Sequence, residues 1–156
     1  MFLKERLGGP RWAATEGRPY NCVLEDLTLE AMRALYSDIL LDHFRHPRNY
    51  GSLDEPDISN EQFNPLCGDR IRIELKLKQS VVNAARFKGD ACAICTAAAS
   101  LLTELVLGEE VGRLVNINDE RLISTLESDI KPARLQCALL PLQALREGLK
   151  DHKRQD

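Results

Sequence analysis

The sequence predicts a mixed α and β domain, and three observations carry that expectation. Residues 70–78, RIRIELKLK, alternate strictly between apolar and charged side chains, the period of a strand buried on one face. Residues 81–88, VVNAARFK, repeat that period after a link short enough to demand a hairpin. Beyond Cys92, apolar residues recur at intervals of three and four, the period of helices. A chain of 156 residues suits one domain and buries about 70% of its unfolded surface without cross-links.

Taken in order, residues 1–31 are expected as a loosely attached N-terminal extension and 32–156 as the folded domain, with Met32 as an alternative start. Arg and Lys in the extension resemble a transit peptide, but Glu5, Glu16 and the Gly8-Gly9-Pro10 break oppose an amphipathic helix. From Thr28 the period is helical through Leu35, Tyr36, Ile39, Leu40 and Phe44, and Pro47 stops the helix near His46. His43 and His46 fit a packing residue and a C-terminal cap better than ligands. Segment 56–64 is a candidate third strand. Matching apolar faces place a three-residue loop at Lys78–Ser80, pairing Ile71 with Phe87 and Ile73 with Ala85. Ala93–Leu107 forms a helix capped by Gly108, followed by shorter helices at 109–115 and 119–130. The last helix aligns Ala138, Leu142, Leu145 and Leu149, and Pro141 is tolerated only close to its start, near Cys137.

The function classes narrow on charge and cysteine content. A formal net charge of −3 with 5% aromatic residues lacks the basic, aromatic stripe of a nucleic-acid binder. No continuous apolar run has the length of a secretory signal or a membrane span, so a reducing, cytoplasmic setting without membrane contact is expected. Five cysteines, an odd count, then point to metal or sulfur chemistry rather than disulfides, unless they are small buried hydrophobes.

Spacing favours a site. In the expected register position 67 lies across from 91, setting Cys67 beside Cys92. Cys92 and Cys137 both stand where a helix starts, where unpaired N–H groups favour thiolate. Asp69 follows Cys67 by two residues, and Gly68 permits the tight turn that aims both side chains at one centre, although Asp69 also reads as a plain turn residue. Cys67, Asp69, Cys92 and Cys137 together offer three sulfurs and one oxygen, suited to zinc or an iron–sulfur cluster. Cys95 makes only a lone CxxC with Cys92 and is expected to pack. Cys22 has no assigned role.

LYSDILLDHFRHPRNYG, NPLCGDRIRIELKL, FKGDACAICTAAASLLTE and PARLQCALLPLQAL, in that order, resemble the blocks of the SufU/IscU/NifU N-terminal family of iron–sulfur cluster assembly scaffold proteins over roughly residues 32–150. The resemblance implies an α+β fold, a small antiparallel sheet with helices packed against it (SufE/NifU-like). It implies Cys67, Asp69, Cys92 and Cys137 as ligands of zinc or of an iron–sulfur cluster, [2Fe–2S] foremost. It further implies a cysteine desulfurase and apo iron–sulfur acceptor proteins as partners. Cys137, then Cys67, is the expected sulfur acceptor. Scaffold function leads; a zinc-dependent sulfurtransferase of the SufU type, which is enzyme-like, and a structural zinc domain are the alternatives. The chain departs from the IscU pattern at Ile130-Lys131-Pro132-Ala133-Arg134 and at Gln136, where IscU proteins carry LPPVK and a histidine. It departs from SufU in having only 44 residues between Cys92 and Cys137.

This partition of the cysteines is testable. Serine at Cys67, Cys92 or Cys137 is expected to reduce metal content sharply, and serine at Cys22 or Cys95 to leave it unchanged, as read by elemental analysis of purified protein.

Overall fold

The computed structural model describes residues 29–156. The extension's first 28 residues and Cys22 lie outside that range. Two short helices, α1 (Leu29–Leu35) and α2 (Asp38–Arg45), precede the sheet. Strands β1 (Ile58–Asn64), β2 (Asp69–Lys78) and β3 (Val81–Asp90) follow, then α3 (Ala93–Val106), α4 (Val111–Leu114), α5 (Asp119–Thr125), a 3₁₀ turn (Pro132–Arg134) and α6 (Leu135–Gln155). The sheet is antiparallel with order β1-β2-β3, so β2 is central and the α+β expectation holds.

Strand alternation works as expected on the inner face. Ile58, Ile71, Ile73, Leu75, Ala85 and Phe87 are buried against α3 and α6, whose Leu102, Ala138, Leu142, Leu145 and Leu149 complete one continuous core. At roughly 1.5–3 kcal/mol for each large side chain removed from water, this core is a major favourable contribution to folding.

The hairpin register differs from the expected one by two residues: Ile73 faces Phe87 and Leu75 faces Ala85, while Ile71 faces Gly89. The loop has two residues, not three. Gln79 (φ 53°) and Ser80 (φ 63°) both adopt left-handed backbone, as a type I′ turn requires. A two-residue loop alone would have turned β3's apolar side chains to the wrong face. A bulge between Lys76 and Leu77 on the ladder, with Asn83 as the extra residue, restores the parity.

The single helix expected from Thr28 to His46 is interrupted at Tyr36-Ser37. Ser37 Oγ accepts the Leu40 N–H at 3.0 Å, capping α2, and donates to the Leu126 carbonyl at 2.6 Å. Its own N–H donates to Ser128 Oγ at 2.7 Å. These bonds reward a break that apolar periodicity alone did not reveal. The two middle helices are shorter than expected; α5 starts at the expected residue, with Asn118 Oδ1 accepting the Arg121 N–H at 2.8 Å, and stops before Glu127, which adopts left-handed backbone (φ 47°).

The turn after α2 is fastened to α3 by buried polar groups. His46 caps α2, as expected. His43, buried, lies 2.8 Å through Nδ1 from Ser100 Oγ, which also accepts the Arg48 N–H at 2.8 Å. Asn49 Nδ2 donates to Thr103 Oγ1 at 3.1 Å. Residues 49–51 then run beside β3, with the Phe87 N–H donating to the Asn49 carbonyl and the Gly51 N–H to the Phe87 carbonyl. Both ends of that turn are thereby held, and with them α3.

The turn assignment is testable by giving the loop its preferred residues. Replacing Gln79-Ser80 with Asn-Gly is expected to raise unfolding stability by about 1 kcal/mol in a denaturant titration. A loss of stability would contradict the I′ geometry.

Candidate functional site

The turn NPLCGD closes itself from within. Asn64 and Asp69 are the last paired residues of β1 and β2, leaving residues 65–68 as the loop. Asn64 Oδ1 accepts the Leu66 N–H at 3.0 Å, and its carbonyl accepts the Gly68 N–H at 2.8 Å. Gly68 sits at φ 75°, where a side chain costs about 1–2 kcal/mol. The loop therefore presents Cys67, half-buried, beside an Asp69 that is only 1% exposed. Asn64 is the residue here that spacing arguments missed. Its signal was the Asn-Pro pair just before the cysteine.

Asp69 joins this loop to the start of α3. Its Oδ1 accepts the Cys92 N–H at 3.0 Å, while Oδ2 is buried without any hydrogen-bond partner. A buried, unmatched carboxylate oxygen costs about 1–3 kcal/mol or more, and a cation is the natural compensation. Cys92 is the N-cap of α3, its Sγ accepting the Cys95 N–H at 3.5 Å. Gly89, three residues before the N-cap Cys92, admits no side chain: a Cβ there would lie 2.0 Å from the Arg70 carbonyl oxygen.

Cys137 arrives on the first turn of α6, as expected, behind the Pro132–Arg134 turn. Pro141 has no N–H to offer the Cys137 carbonyl, so the helix's own bonding is relaxed at that residue. The Sγ atoms of Cys137 and Cys67 are 3.4 Å apart. Donor atoms of Cys67, Asp69 and Cys137 all lie within 4.8 Å of one another, the group of this kind found among the described residues. Cys92 stands outside that trio but is tied to it through its N–H bond to Asp69. The strands stop pairing at Arg70 and Asp90, short of both Cys67 and Cys92, so the hairpin ladder alone does not set the place of either thiol. Cys95 packs in the core at 0% exposure, as expected.

A cavity of about 490 Å³ borders the two close thiols, lined also by Asn64, Leu66 and the Pro132–Arg134 turn. Of its two thiols Cys67 is the accessible one, since Cys137 is 2% exposed. The trio fits a soft divalent ion: two sulfurs and a carboxylate oxygen lie within 4.8 Å of one another.

Cys92 and Cys137 are not pre-ionised, contrary to the expectation from helix N-termini. Burial pushes the Cys92 thiol up to about 11, outweighing the Cys95 N–H that favours thiolate. Burial also raises Cys137, aided by the neighbouring Cys92, the Cys67 thiol and the Asp69 carboxylate, and it raises Cys95. Without a bound cation, desolvation defeats the dipole. The sign follows for stability. A thiol whose folded pKa exceeds its unfolded value stabilises the fold fully below that unfolded value, and the contribution vanishes as pH climbs through the folded one. Metal-free protein is therefore expected to lose on the order of 2 kcal/mol between pH 9 and 11 through Cys92, and Cys92→Ser to lose correspondingly less. Denaturant midpoints measured across that range check this.

With the geometry in place, relatives can be compared. The NifU-like N terminal domain profile matches residues 35–156. The zinc-dependent sulfurtransferase SufU of Bacillus subtilis is 33% identical over 132 residues, spanning 74% of this chain and 89% of that protein. The iron–sulfur cluster assembly scaffold protein IscU of Thermotoga maritima is 35% identical over 134 residues, spanning 76% and 94%. The crystal structure of an N-terminal NifU-like protein from Brucella abortus superposes with a TM-score of 0.68 at 19% identity, over 80% of this chain and 99% of that one, a likeness of fold. The profile match and the two sequence relatives agree: this chain belongs to the NifU-like N-terminal domain family, whose members include the SufU and IscU proteins.

Proposed function

We propose that this protein is an iron–sulfur cluster assembly scaffold: it accepts sulfur from a cysteine desulfurase, combines it with iron, and hands a cluster, [2Fe–2S], to apo-proteins. The observation that carries the reading is the partnerless, buried Asp69 Oδ2 beside two thiols 3.4 Å apart. An ordinary turn aspartate faces water or a backbone N–H; this oxygen has neither.

The chain's own residues divide the work. Cys67, rather than the first-expected Cys137, is the accessible thiol at the cavity and attacks the outer sulfur of a donor persulfide; a new S–S bond forms, the donor's S–S bond breaks, and the donor cysteine leaves as thiolate. Cys137, 3.4 Å away, is the next thiol in line. The carried sulfur is zero-valent and takes two electrons from a reductant before it can stand as sulfide between irons. Cys67, Cys92, Cys137 and Asp69 hold the assembled cargo, and the carboxylate is the donor that a soft metal gives up most readily.

The zinc-dependent sulfurtransferase is the second reading, favoured by one observation: two sulfurs and one carboxylate leave a fourth position open, the pattern of a reactive rather than a closed zinc site. A structural zinc domain is disfavoured, because the hydrophobic core is continuous without the site.

Anaerobic purification with iron, zinc and acid-labile sulfide analysis separates the readings: iron with sulfide for the scaffold, one tight zinc for the transferase. Asp69→Ala sharpens the test. For the scaffold it is expected to accept an assembled cluster and release it several-fold more slowly to an apo-acceptor. For the transferase it weakens zinc and sulfur transfer together. Loading and transfer both unchanged would remove Asp69 from the site.

A further inference from the structure

Cys95 is a nucleophile that the scheme above leaves idle. Its amide donates to Cys92 Sγ at 3.5 Å, and the two residues occupy the N-cap and the third position of α3, on one turn. Cys92 is the N-cap, at φ −65° and ψ 170°, so its side chain folds back over the first turn to within reach of the Cys95 amide, the placement from which CxxC pairs at helix starts join their sulfurs. Cys95 has no exposed surface, which shields it from outside thiols, and Cys92 is a partner it can meet without leaving the core. Cys92 also stands outside the tight trio, so engaging it leaves Cys67, Asp69 and Cys137 free. The partnerless Asp69 oxygen belongs to the carboxylate that binds the Cys92 N–H, which ties this pair to the site.

We propose that Cys95 is the resolving thiol of Cys92 and supplies, from within the chain, the two electrons that turn carried sulfur into sulfide. The inference rests on the sulfur-accepting reading. Sulfur reaches Cys92 when its thiol attacks the outer sulfur of a persulfide on Cys67 or Cys137 and passes its proton to the cysteine it frees. The Cys95 sulfur then attacks Cys92 Sγ. The Cys92–Cys95 S–S bond forms, the bond to the carried sulfur breaks, and the Cys95 proton leaves with it as HS⁻. Zero-valent sulfur is reduced and two thiols are oxidised. An external dithiol of the thioredoxin class resets the pair.

The test uses metal-free full-length protein loaded with glutathione persulfide and freed of excess donor. Trypsin isolates Cys92 and Cys95 together, without another cysteine, on the fragment spanning residues 89–113. Wild type is expected to release sulfide without added reductant, and that fragment to become two hydrogens lighter, one bridge for each sulfide. Cys95→Ser and Cys95→Ala, checked for native helical signal, are expected to take up sulfur but release it on the order of 100-fold more slowly. Release at the wild-type rate by both variants, or a bridge joining Cys67 to Cys137 instead, overturns the inference while the sulfur-accepting reading stands. Failure of wild type to take up any sulfur overturns that reading, and this inference with it.

Discussion

The structure depends on a single buried carboxylate. Asp69 starts the central strand, binds the Cys92 N–H and so fixes the entry of α3, and keeps its second oxygen free toward the thiols of Cys67 and Cys137. Three chain segments distant in sequence meet around it: the loop after β1, the start of α3 and the first turn of α6. Burying such a group without a counter-charge opposes folding. The sheet and helices supply the stability that tolerates it, and a bound cation removes the cost.

The same burial explains why the site rests in a neutral form. Helix N-termini attract negative charge, yet at Cys92 and Cys137 desolvation and neighbouring acidic groups dominate, so both thiols hold their protons. Metal binding then means exchanging protons for a divalent ion, and affinity must rise with pH.

Much of this was legible in the sequence because the strands are short-period and one-sided: RIRIELKLK alternates without exception, and each cysteine block flanks a regular element. What remained hidden was decided by contacts distant in sequence or by single residues. Ser37 breaks a helix because Leu126 and Ser128 meet it from across the fold. The hairpin register shifted by two because a bulge at Asn83 corrects the parity of the tight Gln79-Ser80 turn, and periodicity is blind to a change that preserves parity. The closeness of Cys67 to Cys137, 70 residues apart, is tertiary geometry that hairpin register does not encode. Asp69 was recognisable as a candidate from the Cys-Gly-Asp spacing, but only its burial distinguishes it from a turn residue.

The central claim is that a carboxylate oxygen and cysteine sulfurs of this site share one metal centre. X-ray absorption at the metal edge of anaerobically purified protein tests it most directly. The account predicts a shell of sulfur scatterers with one oxygen at shorter distance, the oxygen signal disappearing in Asp69→Ala and the sulfur count falling in Cys67→Ser and Cys137→Ser. A shell unchanged by all three substitutions would contradict it.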